Sequence, residues 1–205
     1  MDQQETAGKG TGRLAARDLV TVGIFTALYL VFTMVGGAFF APNPVLTFWM
    51  PAAVALLTGP IYLLLIAKVP KHGPLIVVGV VEGLLLFATG MYWGWAVACV
   101  VLGIAADIIA GIGRFRSKAL NFTAFVVYSL SPMGSYLMLW ANPTGYASYL
   151  VGKGAEQAYM DTMMSTATDW MLPAMVLATV ACAIISGLLG MRLLHRQFEK
   201  AGITA

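Results

Sequence analysis

Glu82 makes the strongest chemical claim in the sequence. It sits in Val80-Val81-Glu82-Gly83-Leu84, midway along an apolar run. A charged carboxylate at the centre of a membrane helix costs about 2.5–3.5 kcal/mol on insertion scales, so it must face protein or water rather than lipid. Two roles fit. The carboxyl contacts a ligand or gates by a hydrogen bond, or it is protonated and bonded to a neighbouring helix. Asp107, in Gly103-Ile104-Ala105-Ala106-Asp107, closes another apolar run shortly before Arg114 and Arg116. A structural ion pair or a partner contact is the expected role there.

The second group is aromatic. Phe39, Phe40, Phe48, Trp49, Tyr92, Trp93, Trp95, Trp140, Tyr146, Tyr149 and Trp170 fall near one set of ends of the apolar runs, where charge is almost absent. Some of them form an interfacial aromatic belt. The others predict a stacking pocket for a flat ligand, with Asn43, Asn142 and Asp169 as its polar groups. The expected substrate-binding set is Phe40, Asn43, Trp49, Glu82, Tyr92, Trp93, Trp95, Asn142, Tyr146, Asp169 and Trp170. Met160, Met163, Met164, Met171 and Met175 would suit an adaptable apolar wall, although helical spacing favours plain packing.

Other chemistries find no residues. There is no HExxH, no pair of glutamates at metal spacing and no GxxxxGK[ST]. Cys99 and Cys182 lie in apolar runs without CxxC spacing and read as small packing residues. Both histidines, His72 and His195, fall among the basic connections. No catalytic residue, metal site or cofactor is expected, and the chain reads as a non-enzyme.

These residues must be positioned by membrane helices. The chain has 205 residues, of which 60% are hydrophobic and 10% charged. Soluble domains carry roughly 25% charged residues, so most of this surface faces lipid. Apolar runs predict spans at about Leu19–Phe40, Val45–Ala67, Leu75–Met91, Trp93–Ile112, Leu120–Trp140 and Trp170–Leu194. Pro51 and Pro60 in the second predict a kink or a late helix start, and Pro132 interrupts the fifth. Between the last two spans, residues 141–168 are polar. A short interfacial helix is expected over 155–165, and Thr166 with Asp169 resembles a capping box.

Charge sets the expected orientation. Lys9, Arg13 and Arg17 precede the first span. Lys68 and Lys71 join the second to the third, and Arg114, Arg116 and Lys118 join the fourth to the fifth. Arg192, Arg196 and Lys200 follow the sixth. With six spans, eleven of the twelve Lys and Arg residues lie on one side, and only Lys153 lies on the other. The positive-inside rule then puts both termini in the cytoplasm. The expected architecture is an all-α bundle of six transmembrane helices over 18–196. It is flanked by cytoplasmic tails, 1–17 (polar, disordered and unlike a cleavable signal peptide) and 197–205. No basic stripe suited to nucleic acid is present.

Small residues recur at four-residue spacing in Gly23/Ala27, Gly79/Gly83, Ala106/Ala110 and Ala183/Gly187. Such pairs let membrane helices approach closely. Some serve the bundle, whereas a pair near the cytoplasmic end of the first helix is free to face another protein.

Several stretches resemble the S components of energy-coupling factor (ECF) transporters, specifically the Trep_Strep group. They are Arg17-Asp18-Leu19-Val20-Thr21-Val22-Gly23-Ile24-Phe25-Thr26-Ala27-Leu28-Tyr29, Pro51-Ala52-Ala53-Val54-Ala55-Leu56-Leu57-Thr58-Gly59, Gly103 to Asp107, Asp169-Trp170-Met171-Leu172-Pro173 and Phe198-Glu199-Lys200-Ala201-Gly202. The resemblance runs from about Leu14 onward. It implies a multi-pass protein of a prokaryotic plasma membrane that captures a vitamin-like trace nutrient from outside. It also implies an ABC-type importer in which a membrane T component and two cytoplasmic ATPases are partners, and toppling in the membrane releases substrate inward. An Ala-xxx-Ala pair contacts the T component in that family, and Gly23 and Ala27 occupy the matching positions here. The N-terminal histidine motif of nickel and cobalt members is missing. A vitamin ring or a tetrapyrrole suits an aromatic pocket. A stand-alone secondary transporter and a membrane assembly partner are the alternative readings.

Overall fold

The computed structural model describes residues 14–200, with side chains to Leu194. Regular structure among these residues is entirely helical. In chain order the helices are α1 Ala16–Ala38, α2 Met50–Lys68, α3 Pro74–Ala88, α4 Trp93–Ile112, α5 Lys118–Tyr128, α6 Met133–Ala141, α7 Pro143–Gly152, α8 Gln157–Thr166 and α9 Met171–Lys200. A 3-10 turn, Leu46–Trp49, leads into α2. Four helices, α1, α2 with its 3-10 turn, α4 and α9, are long and apolar enough to cross a membrane.

The remaining spans are less regular than the sequence suggests. The expected fifth is the pair α5 and α6, bent by 43°. The break falls where Pro132 removes an amide donor and restricts Ser131 before it. The expected third is α3, with 15 residues. At 1.5 Å per residue it is about 22 Å long, short of the ~30 Å hydrocarbon core. The second starts late, with Pro51 in the first turn of α2, where its missing N–H costs nothing.

The termini and the long connection also differ from expectation. Ala16 and Arg17 already belong to α1, and residues 1–13 lie outside the described residues. At the other end α9 continues to Lys200, into the expected C-terminal tail, and 201–205 lie outside. Residues 141–168 hold two helices, α7 and α8, rather than one. The Thr166 hydroxyl donates back to the Thr162 carbonyl at 2.8 Å, so the expected capping box with Asp169 does not form.

Helix faces show the inverted pattern that lipid demands. In α1 the inward stripe is Val22, Thr26, Tyr29, Thr33 and Gly36, at alternating steps of four and three. The exposed positions are apolar, among them Val20, Ile24, Val31 and Val35. Helices then pack where side chains are smallest. Gly79 and Gly83 of α3 lie against the Cys99 and Ala96 carbonyls of antiparallel α4. Gly59 of α2 meets Ser186 of parallel α9, and its N–H donates to Ser186 Oγ at 3.1 Å. Ala106, Ala110 and Ala183 are fully buried, and Gly187 backs onto the Phe122 ring. Three of the four small-residue pairs therefore serve the bundle. At Gly23 there is open space within 4 Å, and Ala27 beside it is exposed.

The two ends of the bundle differ in chemistry. One gathers the α1 N-terminus with the α2–α3 and α4–α5 connections. Lys71 Nζ lies 2.7 Å from Asp18 Oδ2, which also accepts the Ala15 N–H at 2.8 Å. Asp107 takes a structural pairing role, as expected, but with a histidine rather than the arginines that follow it. It accepts from His72 Nδ1 at 2.8 Å and from the Gly73 N–H at 3.0 Å, while Arg114 and Arg116 remain exposed. Gly73 is the N-cap of α3, so Asp107 supplies a negative charge where the first amides of that helix point. The other end is aromatic and is covered by α7 and α8.

A paired substitution tests this packing. Gly79→Val drives a side chain into the Cys99 carbonyl and should destabilise the purified protein by about 1–3 kcal/mol. Gly23→Ala meets open space and should stay within about 0.5 kcal/mol of the parent or gain slightly in helix propensity. Thermal unfolding in detergent reads both. Equal stability of the Gly79→Val protein would refute the close α3–α4 approach.

Candidate ligand-binding site

At the aromatic end the helices line a half-open cavity of about 560 Å³, within the size range of small-molecule sites. Its floor comes from the bundle through Thr33, Gly37, Met50 and Leu86. Its wall includes Tyr92, Trp95, Ser135 and Tyr136. Tyr146, Tyr159, Met160 and Met163 of α7 and α8 complete it.

Local structure explains how these side chains converge. Gly90 adopts φ +90°, a conformation that costs glycine little, and the Met91 N–H returns to the Leu86 carbonyl at 3.1 Å. That turn ends α3 and directs Tyr92 inward. Tyr92 then packs on Tyr146 and Tyr149, with ring centroids 4.9 and 5.0 Å away. The break after α5 resets the helix so that Ser135 and Tyr136 face the cavity. Tyr136 Oη donates to the Thr47 carbonyl at 2.7 Å and lies 2.9 Å from Thr47 Oγ1. Tyr159 Oη donates to the Ala41 carbonyl at 2.7 Å, which ties α8 to the α1–α2 connection. Ser135 and Tyr146 hydroxyls are 3.4 Å apart. Burial pushes the Tyr146 phenol up to about 12 and raises that of Tyr159, so both remain neutral hydroxyls near pH 7.

Glu82 lies one turn of α3 beneath Leu86 and is 2% exposed. It accepts from Tyr128 Oη at 2.5 Å and from Thr33 Oγ1 at 3.2 Å. Tyr128 stacks on Tyr62 of α2 at 5.2 Å and meets Tyr29 of α1 edge-on at 5.6 Å. Glu82 thus joins α1, α3 and α5 directly, and α2 through the rings. It does not line the cavity, although its partner Thr33 does.

Of the residues singled out from sequence, Tyr92, Trp95 and Tyr146 line the cavity. Phe40 and Trp49 pack half-buried into the surrounding apolar cluster. Asn43 is exposed and accepts the Val45 and Leu46 amides, and Asn142 caps α7 through the Gly145 N–H. Asp169 is exposed. Trp93 is 45% exposed and lines a separate apolar groove between α4 and α6, and Trp170 is 60% exposed. Thr33, Thr47, Ser135, Tyr136 and Tyr159 escape sequence reading. At Thr33, Ser135 and Tyr136 the available signal was a hydroxyl inside an apolar helix, and at Ser135 and Tyr136 it follows a proline. Among the described residues, no group of three His, Cys, Asp or Glu side chains is placed to hold a metal ion.

Long apolar helices, lipid-facing side chains and a half-open aromatic cavity define a polytopic helical membrane protein. The family model described as "Hypothetical bacterial integral membrane protein (Trep_Strep)" matches residues 16–200, and the chain belongs to that family. No curated protein and no solved structure matches it.

The Glu82 junction gives a stability prediction. Glu82→Leu leaves the Tyr128 and Thr33 hydroxyls without an acceptor and should cost about 1–3 kcal/mol. Glu82→Gln keeps an acceptor and adds a donor that both hydroxyls can accept, so it should lose less. Unfolding in lipid-containing detergent measures the difference. A leucine variant as stable as the parent would show that the carboxyl is not a structural tie.

Proposed function

We propose that this protein is the substrate-capturing subunit of a micronutrient importer of the ECF type and is not itself an enzyme. It takes a small molecule into the aromatic cavity from the outer side. It delivers it inward together with a membrane T component and two ATPases. The observation that carries this reading is the cavity itself, large enough for a ring-bearing nutrient and walled in part by α7 and α8 at the end opposite the basic connections. The Lys and Arg distribution supports an outer location for that end.

The α1 surface supports a docking role. Three small-residue pairs are consumed by internal packing, whereas Gly23 and Ala27 stand open on the outward face. A flat patch there suits a second membrane protein. The two functions occupy opposite ends of one helix and should be separable.

Tyr92→Ala or Trp95→Ala should lower retention of a co-purifying small molecule at least about tenfold while the protein stays folded. Ala27→Trp should abolish co-purification with a T component and ATPases and leave that retention intact. Native mass spectrometry of the affinity-purified chain reads both. Ligand without partners would favour a stand-alone transporter, and partners without ligand a membrane assembly role. Unchanged retention in both aromatic variants would place the ligand elsewhere.

A further inference from the structure

The ligand's chemistry is written into the cavity wall, and this inference rests on the capture reading above. Seven lining residues carry hydroxyls, namely Thr33, Thr47, Tyr92, Ser135, Tyr136, Tyr146 and Tyr159. Four of them have their proton committed to the protein. Thr33 donates to Glu82 Oε1 at 3.2 Å, Tyr136 to the Thr47 carbonyl at 2.7 Å and Tyr159 to the Ala41 carbonyl at 2.7 Å. Because the Tyr136 proton goes to that carbonyl, Thr47 Oγ1 is the donor in its 2.9 Å contact with Tyr136 Oη. A hydroxyl that has donated its proton still carries a lone pair. These four groups therefore offer acceptors and no free donors.

Charge is the second constraint. The lining contains no Asp, Glu, Lys, Arg or His. Glu82 stands behind Thr33 with each carboxyl oxygen already accepting a hydroxyl. The free donors are the Trp95 indole N–H, the Tyr92 hydroxyl and one hydroxyl of the Ser135–Tyr146 pair, and all of them are neutral. A carboxylate or phosphate entering this space would exchange water for a few neutral donors, oxygen lone pairs and apolar walls with no cation among them, and a buried charge without a counter-charge is costly. A cation would meet aromatic faces but no available counter-charge. A neutral ring with N–H or O–H groups matches the four acceptors, and a carbonyl on it matches the free donors.

We propose that the cavity takes an uncharged, ring-bearing small molecule that donates hydrogen bonds, and that it rejects the anionic forms of the same rings. The five methionines on the lining (Met34, Met50, Met91, Met160 and Met163) fit the apolar edge of such a ring without demanding one outline.

Matched pairs that differ in charge test this on the detergent-purified full chain. The probes are nicotinamide with nicotinate, indole-3-acetamide with indole-3-acetate, and 4-hydroxybenzamide with 4-hydroxybenzoate. They are equilibrated together by dialysis and quantified by liquid chromatography with mass detection. At least one amide should be retained about tenfold or more over its carboxylate, and Tyr92→Ala should abolish that retention. Preferential retention of a carboxylate, itself lost in Tyr92→Ala, would overturn the ligand class and leave the capture reading standing. Retention of none of the six by the parent protein would count against the ligand class and against capture at this cavity together.

Discussion

Burying a carboxyl group in the middle of an apolar bundle is the constraint on which this structure depends. Lipid offers no hydrogen bonds, so Glu82 must be satisfied by protein. The protein supplies Tyr128 from α5 and Thr33 from α1. Each donor then has to be held in place. Tyr128 is fixed between the Tyr62 and Tyr29 rings, and Thr33 by its place in the inward stripe of α1. One polar side chain therefore dictates the relative positions of four helices. It acts just below the cavity, so the same arrangement defines the floor on which a ligand would rest.

Close packing completes what the polar junction begins. Without a hydrophobic driving force between helices in lipid, association comes from contact and hydrogen bonding. Hence the backbone approaches at Gly79, Gly83 and Gly59, where a side chain would overlap a neighbouring carbonyl or Ser186. The short α3 is packed along α4 through these glycines. A helix too short to reach both faces of the hydrocarbon by itself is stabilised by a longer partner. The Asp107 carboxylate at its N-terminus meets a second need, because it accepts the Gly73 amide and places negative charge where the first turn of α3 points its N–H groups.

Much of this was legible in the sequence, for physical reasons that also mark where legibility ends. Hydropathy and the sidedness of Lys and Arg report on lipid and translocation, which act on each segment separately, and they located the long helices. The split of Leu120–Trp140 into α5 and α6 was only half visible. Proline announces a break but not its angle. Pairing was not visible at all. Asp107 stands near arginines in sequence, yet it binds a histidine and an amide brought beside it by the α2–α3 connection. The cavity followed the same rule. Aromatic character pointed to Tyr92, Trp95 and Tyr146, and equally to Trp93 and Trp170, because rings at an interface and rings around a ligand look alike in one dimension. The lining hydroxyls were hidden because threonine, serine and tyrosine gain their meaning from the partner that takes their proton.

The helix that unites these features is α1. Its inward stripe carries Thr33 and Gly37 to the cavity and Tyr29 to the aromatic stack, while its outward face near the basic end presents Gly23 and Ala27. Every other small-residue pair has been spent on the bundle. If α1 docks on a partner through that open patch, a shift of the helix on docking is felt first at Tyr29 and then at Thr33. The Thr33 hydroxyl has a single acceptor, Glu82, and it reaches the cavity as well. Loss of that hydrogen bond would free its proton towards the ligand side and turn one acceptor of the wall into a donor. Coupling between a partner at one end and a ligand at the other would then pass through a small shift of α1 and a change in which oxygen receives one threonine proton.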